Sequence, residues 1–411
     1  MTTKAPATIE AAAGIRGLLG IPAFRGIAIA NTLVALAFGS SRFVFVWLIG
    51  ELTEWNPATA ILGILLGMPH LFLSAWAGSL VDRLSPRQLG LALMLAGTLL
   101  FTVTAILVDT RFMNVQVAMA CGFLTAIAPA MLTPLLQALL PSLVPGTRLM
   151  QAVAVQNLGM MVATIGGAFI GGGVIQLFGI SAGFWLLAIA SGLAALRYMV
   201  TPLPDRLAGA NQQRRGAIRE GASAALGNEP LRSLLAITFV LGLAITTSVL
   251  LLPEFARDVL GQESFAAGAL NAFMSIGMMG TSFVLATRWT PSRPGLVLTI
   301  IAGLFLGGGL IAIGSSRAYL VTAVFAFMWG MSGGIAMTLL RTLTQVNTPP
   351  ELMGRVMGLA AMAQNGAFPI GSLMLFGLVS VTSVSSAMVI SGVICTTAIW
   401  LISIPRHVRQ I

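Results

Sequence analysis

The sequence predicts an all-α integral membrane protein whose twelve transmembrane helices form two pseudo-symmetric six-helix bundles. Hydrophobic residues make up 57% of the 411 residues and charged residues only 8%, whereas soluble domains carry about 25% charged residues. A membrane-spanning helix needs about 20 mostly apolar residues, and twelve stretches meet this need. The predicted spans are 27–50, 59–81, 88–108, 113–143, 152–178, 180–201, 233–256, 264–287, 295–313, 318–346, 355–379 and 383–404.

One long polar segment, residues 202–232, divides the spans six and six. We therefore predict an N-terminal bundle over 27–201 and a C-terminal bundle over 233–404. Residues 1–26 form a predicted cytoplasmic lead-in, and residues 405–411 a cytoplasmic tail. Two related halves are a common plan among transporters.

The distribution of Lys and Arg predicts the orientation. Among the 22 Lys and Arg residues, Arg111, Arg257 and Arg317 fall in loops on one side, and Arg42 and Arg341 lie inside spans. All the others fall on the side of the N-terminus, and an excess of Lys and Arg marks the cytoplasmic side. We expect a multi-pass protein of the cytoplasmic membrane with both termini cytoplasmic. The net charge of +10 then reflects this topology, and we predict no nucleic-acid partner.

A charged turn between the second and third spans has the pattern Gly78-x-Leu80-x-Asp82-Arg83-x-x-x-Arg87. It resembles the cytoplasmic signature loop of the major facilitator superfamily, and the twelve-span layout with a central loop resembles that family throughout. The resemblance implies the major facilitator fold, secondary transport by alternating access, and a gating role for Asp82, Arg83 and Arg87. The alternative for this turn is a positively charged anchor with a helix cap.

Two further motifs resemble a subgroup of bacterial exporters that includes enterobactin and macrolide efflux proteins. They are the turn at residues 349–357, Pro349-Pro350-Glu351-Leu352-Met353-Gly354-Arg355-Val356-Met357, and Pro369-Ile370-Gly371 in the eleventh span. Exporters of the family often carry a Gly-Pro pair in span five, where this chain has Gly166-Gly167.

Ionisable residues inside spans point to a substrate site, because they cost about 2.5–3.5 kcal/mol on insertion scales and usually face a cavity. Arg42, His70 and Arg341 are such residues. Asn31 shares a helix face with Arg42, since eleven residues at about 100° each leave only about 20° between them. Snorkelling or helix-to-helix hydrogen bonds are the alternatives for the arginines, and a bond to a backbone carbonyl is the alternative for His70.

In the family that the chain resembles, spans one, four, seven and ten line the central cavity. That resemblance implies Arg42, Gln137, Thr246, Thr247 and Arg341 as lining residues. Asn31 joins the predicted substrate site because it shares a helix face with Arg42. Gln137 and Arg341 lie 204 positions apart, as do Pro145 and Pro349, so they occupy corresponding places in the two halves.

Every Asp and Glu falls in a loop or near a span end. Arginines without a central acid favour an anionic or zwitterionic substrate, because the guanidinium offers a fork of donors to carboxylate or phosphate. Cationic drugs are disfavoured. His70, Glu51 and Glu254 are the candidates for proton coupling; for the two glutamates the alternative is a solvated outer rim.

The sequence contains no metal-ligand spacing, nucleophile elbow or phosphate-binding loop, so we predict no enzyme activity and no cofactor beyond a proton gradient. We expect export of a small amphipathic anion, such as a siderophore-like metabolite or an antimicrobial, by a monomer among membrane lipids. One alternative is a transporter of lysophospholipid or another phosphate-bearing lipid. The other is a non-transporting membrane receptor or assembly partner.

Overall fold

The structure is a computed structural model that describes residues 17–53, 57–81, 85–145, 148–203, 227–287, 291, 293–349 and 352–403. These residues form twelve long helices and no strand. The helices are α1 (Pro22–Leu52), α2 (Pro57–Val81), α3 (Pro86–Asp109), α4 (Val115–Leu143), α5 (Leu149–Phe178), α6 (Ile180–Met199), α7 (Glu229–Asp258), α8 (Ser264–Thr287), α9 (Pro294–Ser315), α10 (Tyr319–Val346), α11 (Met353–Val381) and α12 (Val384–Ser403).

Eleven of these helices are long and apolar enough to cross a membrane, and the described apolar part of α2 is Pro57–Leu73. The predicted fold class is therefore confirmed. Large apolar side chains lie exposed on the outside of the bundle, among them Leu99, Leu177 and Leu320. Such a surface suits lipid, where no water competes for it.

Several helices begin where a capping residue precedes a proline or an apolar run. Ser85 Oγ accepts from the backbone N–H of Gln88 at 3.2 Å before α3, and Asn228 Oδ1 accepts from Leu231 at 3.3 Å before α7. Each cap satisfies one of the free amides of the first turn. Cap and proline together explain why α7 begins at Glu229, four residues before the predicted span at 233.

Close helix approach within each half depends on glycine. In the N-terminal half, Gly90 of α3 packs on the ring of Tyr198 of α6, whose hydroxyl donates to the Pro86 carbonyl at 2.7 Å. In the C-terminal half, a Cβ on Gly307 of α9 would lie 2.5 Å from the Gly392 carbonyl of α12. Small residues allow such contacts in lipid, and they occur at corresponding helix pairs of the two halves.

The halves touch mainly at one end of the bundle, which we call the closed end: it holds the end of α1 and the end of α7. There, Ser264 Oγ of α8 donates to the Gly172 carbonyl of α5 at 3.0 Å, and the guanidinium of Arg257 lies against Gly50. The opposite end, which we call the terminal end, holds the start of α1 and the end of α12.

The predicted lead-in, central loop and tail lie largely outside the described residues, which omit 1–16, 204–226 and 404–411.

Candidate functional site

A cavity of about 590 Å³ lies between the two halves. Helices of both halves contribute to it, and it extends from the middle of the bundle toward the terminal end. Its principal polar lining residues are Asn31, Ser40, Arg42, His70, Gln137, Gln156, Asn157, Asn271, Ser275 and Arg341.

Arg42 projects from α1 just after a π-helical turn, Ala35–Gly39. A π turn inserts an extra residue into the helix and frequently occurs at functional sites. The Arg42 guanidinium carbon lies 4.4 Å from the ring centroid of Phe368 in α11. This cation–π contact holds the charge between the two halves, because α1 and α11 belong to different halves.

Arg341 of α10 and Gln137 of α4 both line the cavity near the terminal end, and both side chains are exposed. The matching placement agrees with their 204-residue separation. Their predicted role in substrate binding stays a prediction.

Asn31 and His70 carry polar atoms without a partner. Asn31 is 7% exposed, and its Nδ2 atom has no hydrogen-bond partner among the described residues. The same holds for the Nδ1 atom of His70. Most buried polar atoms in proteins are hydrogen-bonded, because an unpaired one costs desolvation energy. Both residues line the cavity, so a bound polar group would satisfy them.

The described cavity lining contains Arg42 and Arg341 but no Asp or Glu. An ion pair of the described residues lies away from the cavity: Arg257 Nε contacts Asp258 Oδ1 at 2.6 Å near the closed end. The cavity is therefore positively charged. Apolar side chains complete its wall, including Phe38, Leu66, Leu136, Met160 and Met274.

The two glutamates predicted for proton coupling lie at the closed end. Glu254 of α7 is 3% exposed; its Oε1 accepts from Thr59 Oγ1 of α2 at 3.4 Å, while Oε2 lacks a partner in the described structure. Glu51 is exposed and accepts from Trp47 Nε1 at 2.8 Å. Glu254 therefore sits between the halves, whereas Glu51 lies at the rim.

Of the predicted gating residues, Asp82 and Arg83 lie outside the described residues. Arg87 is exposed at the start of α3 and donates from Nη2 to the Met199 carbonyl at the end of α6, at 2.7 Å. A cation there completes the last turn of α6, whose final carbonyls lack helical partners.

The family model of the Major Facilitator Superfamily matches residues 27–372. The chain belongs to this superfamily. It is therefore a membrane transporter of the major facilitator type, from a family of transporters rather than enzymes. The exporter subgroup stays a prediction.

A relative within the superfamily is an uncharacterized MFS-type transporter, y4rN, of Sinorhizobium fredii (strain NBRC 101917 / NGR234). It is 26% identical over 416 residues, covering 95% of this chain and 96% of the relative.

Solved superfamily structures share the fold. The nucleoside transporter NupG has a TM-score of 0.72 at 15% identity, covering 92% of this chain and 98% of that chain. A bacterial homolog of the human lysosomal transporter Spinster, inward-facing and occupied, has a TM-score of 0.70 at 13% identity, covering 92% and 96%.

Thr246 and Thr247 correct the lining predicted from the superfamily pattern. Both are fully buried, and neither is among the described residues that line the cavity. Their hydroxyls donate to the carbonyls of Gly242 and Leu243 at 2.8 and 3.1 Å. Thr246 also packs against Gly371 of α11, so this face of α7 belongs to helix packing.

Sequence reasoning missed the polar residues of α5 and α8 that line the cavity, namely Gln156, Asn157, Thr164, Asn271 and Ser275. The expectation came from spans one, four, seven and ten alone. Uncharged amides inside otherwise apolar spans were the available signal, because a bilayer penalises them unless they find a partner.

Among the described residues, no group of three or more His, Cys, Asp and Glu residues is placed to hold a metal ion. Cys121 and Cys395 are buried free thiols.

Proposed function

We propose that the protein is a secondary active transporter that exports a small amphipathic anion by alternating access. A siderophore-like metabolite or an anionic antimicrobial is the cargo class that fits the sequence resemblance. The observation that carries this proposal is a cavity between the halves that contains Arg42 and Arg341 without a described carboxylate to neutralise them.

The cavity wall supports an amphipathic cargo. The two arginines offer planar forks of N–H donors, which match carboxylate and phosphate oxygens. Phe38, Met160 and Met274 supply an apolar surface in the same cavity. Methionine adapts its shape to irregular ligands, so the site suits an anionic head with a hydrophobic body.

The distribution of contacts between the halves supports alternating access. Gly172 packs against α8 at the closed end, and Glu254 meets Thr59 there, while Gln137 and Arg341 are exposed toward the terminal end. Rocking of the halves about the central site would exchange these states. With the terminal end on the cytoplasmic side, as the Lys and Arg distribution predicts, this state faces inward.

Glu254 is the strongest of the three candidates for coupling to protons. Its carboxyl group lies buried between α7 and α2, with one oxygen unpartnered in the described structure. A proton on that oxygen would remove a buried charge from the contact that must separate when the closed end opens. His70 is the candidate inside the cavity, and Glu51 is the candidate at the rim.

For the gate, the resemblance implies Asp82, Arg83 and Arg87, of which Arg87 lies at the terminal end of the N-terminal half. Arg87 joins the start of α3 to the end of α6. Such a cross-link makes these helix ends move together, which a latch between two states requires.

A thermal-shift screen of the purified protein tests the cargo class, because a ligand that binds the native state raises the apparent melting temperature. The panel contains anionic metabolites, siderophores, lysolipids and cationic drugs. We expect stabilisation by amphipathic anions that disappears in Arg42→Ala. Stabilisation by cationic drugs alone would refute the anion-binding cavity. Selective stabilisation by lysolipids would support the lipid alternative, and co-purification with one protein without any ligand would support the receptor.

A further inference from the structure

A second, smaller cavity of about 150 Å³ adjoins the first. Arg42 and His70 line both cavities. From the opposite half, Gln364 and Asn365 of α11 line the small cavity but not the larger one. Polar groups of both halves thus meet in one small space.

The side chains that line the small cavity favour a ligand that accepts hydrogen bonds. Arg42 carries five N–H donors and no acceptor, and each side-chain amide of Gln364 and Asn365 carries two N–H donors and one carbonyl acceptor. Donors therefore outnumber acceptors in these three side chains. Arg42 already contacts the Phe368 ring, and its guanidinium group forms no ion pair among the described residues. The described lining of this cavity contains no carboxylate. A ligand with several negatively charged oxygen atoms would match these donors.

His70 supplies a second, independent sign of a ligand. Its Nδ1 atom is buried and has no hydrogen-bond partner among the described residues, although the ring lines both cavities. An oxygen atom at the junction of the cavities would satisfy this nitrogen when Nδ1 carries the proton.

Two glycines keep the small cavity narrow. A Cβ on Gly67 of α2 would lie 2.8 Å from Pro369 Cδ, and a Cβ on Gly242 of α7 would lie 2.5 Å from Ala367 Cβ. Both helices therefore approach α11 closely. The small cavity has about a quarter of the volume of the larger one, so it suits a compact oxyanion better than a bulky hydrophobic body.

We propose that the small cavity is an oxyanion site that binds a carboxylate, phosphate or sulfate group. The inference rests on the proposed function in one respect: the oxyanion is taken to be the acidic end of the cargo, whose body fills the larger cavity. Because Arg42 and His70 belong to one half and Gln364 and Asn365 to the other, a bound oxyanion joins the halves.

Inorganic sulfate is the probe, added at low millimolar concentration to the full-length protein in detergent, with chloride at matched ionic strength as the reference. We expect sulfate to raise the melting temperature, and Gln364→Ala or Asn365→Ala to weaken its affinity about tenfold, as expected for a lost hydrogen bond to a charged group. Gln137→Ala and Asn157→Ala are the matched controls, because these residues line only the larger cavity.

Two results would overturn the site. The first is an equal sulfate affinity in all four variants and the parent protein, and the second is an equal loss of sulfate affinity in all four variants. General salting-out by sulfate strengthens burial without a specific site, and it would give the first of these results. Competition between sulfate and 2-naphthoate, but not neutral 2-naphthamide, would assign the site to the acidic end of an organic cargo. A selective sulfate effect without such competition would support the oxyanion site and assign it to a free inorganic anion.

The sulfate measurement requires no transport. A protein that loses sulfate binding in Gln364→Ala but transports no organic anion would retain the site and refute the proposed cargo. A protein that transports organic anions with unchanged sulfate response in Gln364→Ala and Asn365→Ala would retain the proposed function and refute the site.

Discussion

Gly172→Ala should prevent tight closure of the closed end, whereas the adjacent Gly171→Ala should not. A Cβ on Gly172 would lie 2.5 Å from the Ser264 carbonyl oxygen and 3.2 Å from Phe265 Cα, both in the backbone of α8. A Cβ on Gly171 would meet nothing within 4 Å. The two substitutions are chemically identical and differ only in the helix face that receives the methyl group.

The magnitude follows from the first contact. Carbon and a carbonyl oxygen approach comfortably at about 3.3 Å, so α5 and α8 must separate by several tenths of an ångström. Because the obstacle is backbone, rotation of a side chain cannot relieve it. Overpacking of this kind costs about 1–3 kcal/mol, which would shift the equilibrium between closed and open arrangements by about 5- to 150-fold. The gain in helix propensity from Gly to Ala is common to both variants.

Double electron–electron resonance measures this equilibrium directly. Spin labels at Phe112→Cys and Glu263→Cys would report the separation of the halves at the closed end, since both native residues are exposed and both native cysteines are buried. We expect a larger long-distance population in Gly172→Ala than in Gly171→Ala. Identical distance distributions would refute the view that the α5–α8 contact holds the closed end shut.

Three further predictions concern the site, the coupling group and the gate. Arg42→Ala and Arg341→Ala should each weaken binding of an anionic ligand about 10- to 100-fold, because a hydrogen bond to a charged group contributes about that much to affinity. Isothermal titration calorimetry that shows unchanged affinity in both variants would refute the assignment of these arginines to the substrate site. Glu254→Gln should remove the pH dependence of transport in liposomes, whereas Glu51→Gln should keep it, and retained dependence in Glu254→Gln would exclude that carboxyl group. Asp82→Asn should slow transport with little effect on ligand affinity, and an equal loss of both would argue against a gating role.

The fold could be predicted because lipid imposes simple requirements on sequence. Each span needs a long apolar run, and most of the basic residues between the predicted runs fall on one side. The ends of helices were less predictable, since α1 begins at Pro22 and α7 at Glu229, five and four residues before the predicted spans at 27 and 233. There, capping by Asn228 and the conformation of proline determine the first turn.

The cavity was only partly predictable from the sequence. Arg42, His70 and Arg341 were visible because charge in a span is costly, and the structure brings all three to the cavity. Thr246 and Thr247 were misplaced, because helix rotation is set by packing against neighbours such as Gly371. A hydroxyl that can bond its own helix carries no reliable sign of which side it faces.

The residues of the small cavity were hidden for a related reason. Gln364 and Asn365 are polar residues of α11, outside the four spans that the family pattern singles out, and only the approach of α2 and α7 brings them near Arg42. Such a meeting depends on the tilt of three helices from both halves. No periodicity within one span encodes it.

Transport by the purified protein in liposomes tests the central claim most directly. Uptake of a radiolabelled amphipathic anion identified in the ligand screen would be compared with uptake of a cationic analogue of similar size, in the parent protein and in Arg42→Ala. The arginine-lined cavity predicts transport of the anion alone, lost in Arg42→Ala. Transport of the cation, or of the anion at an unchanged rate in Arg42→Ala, would contradict it.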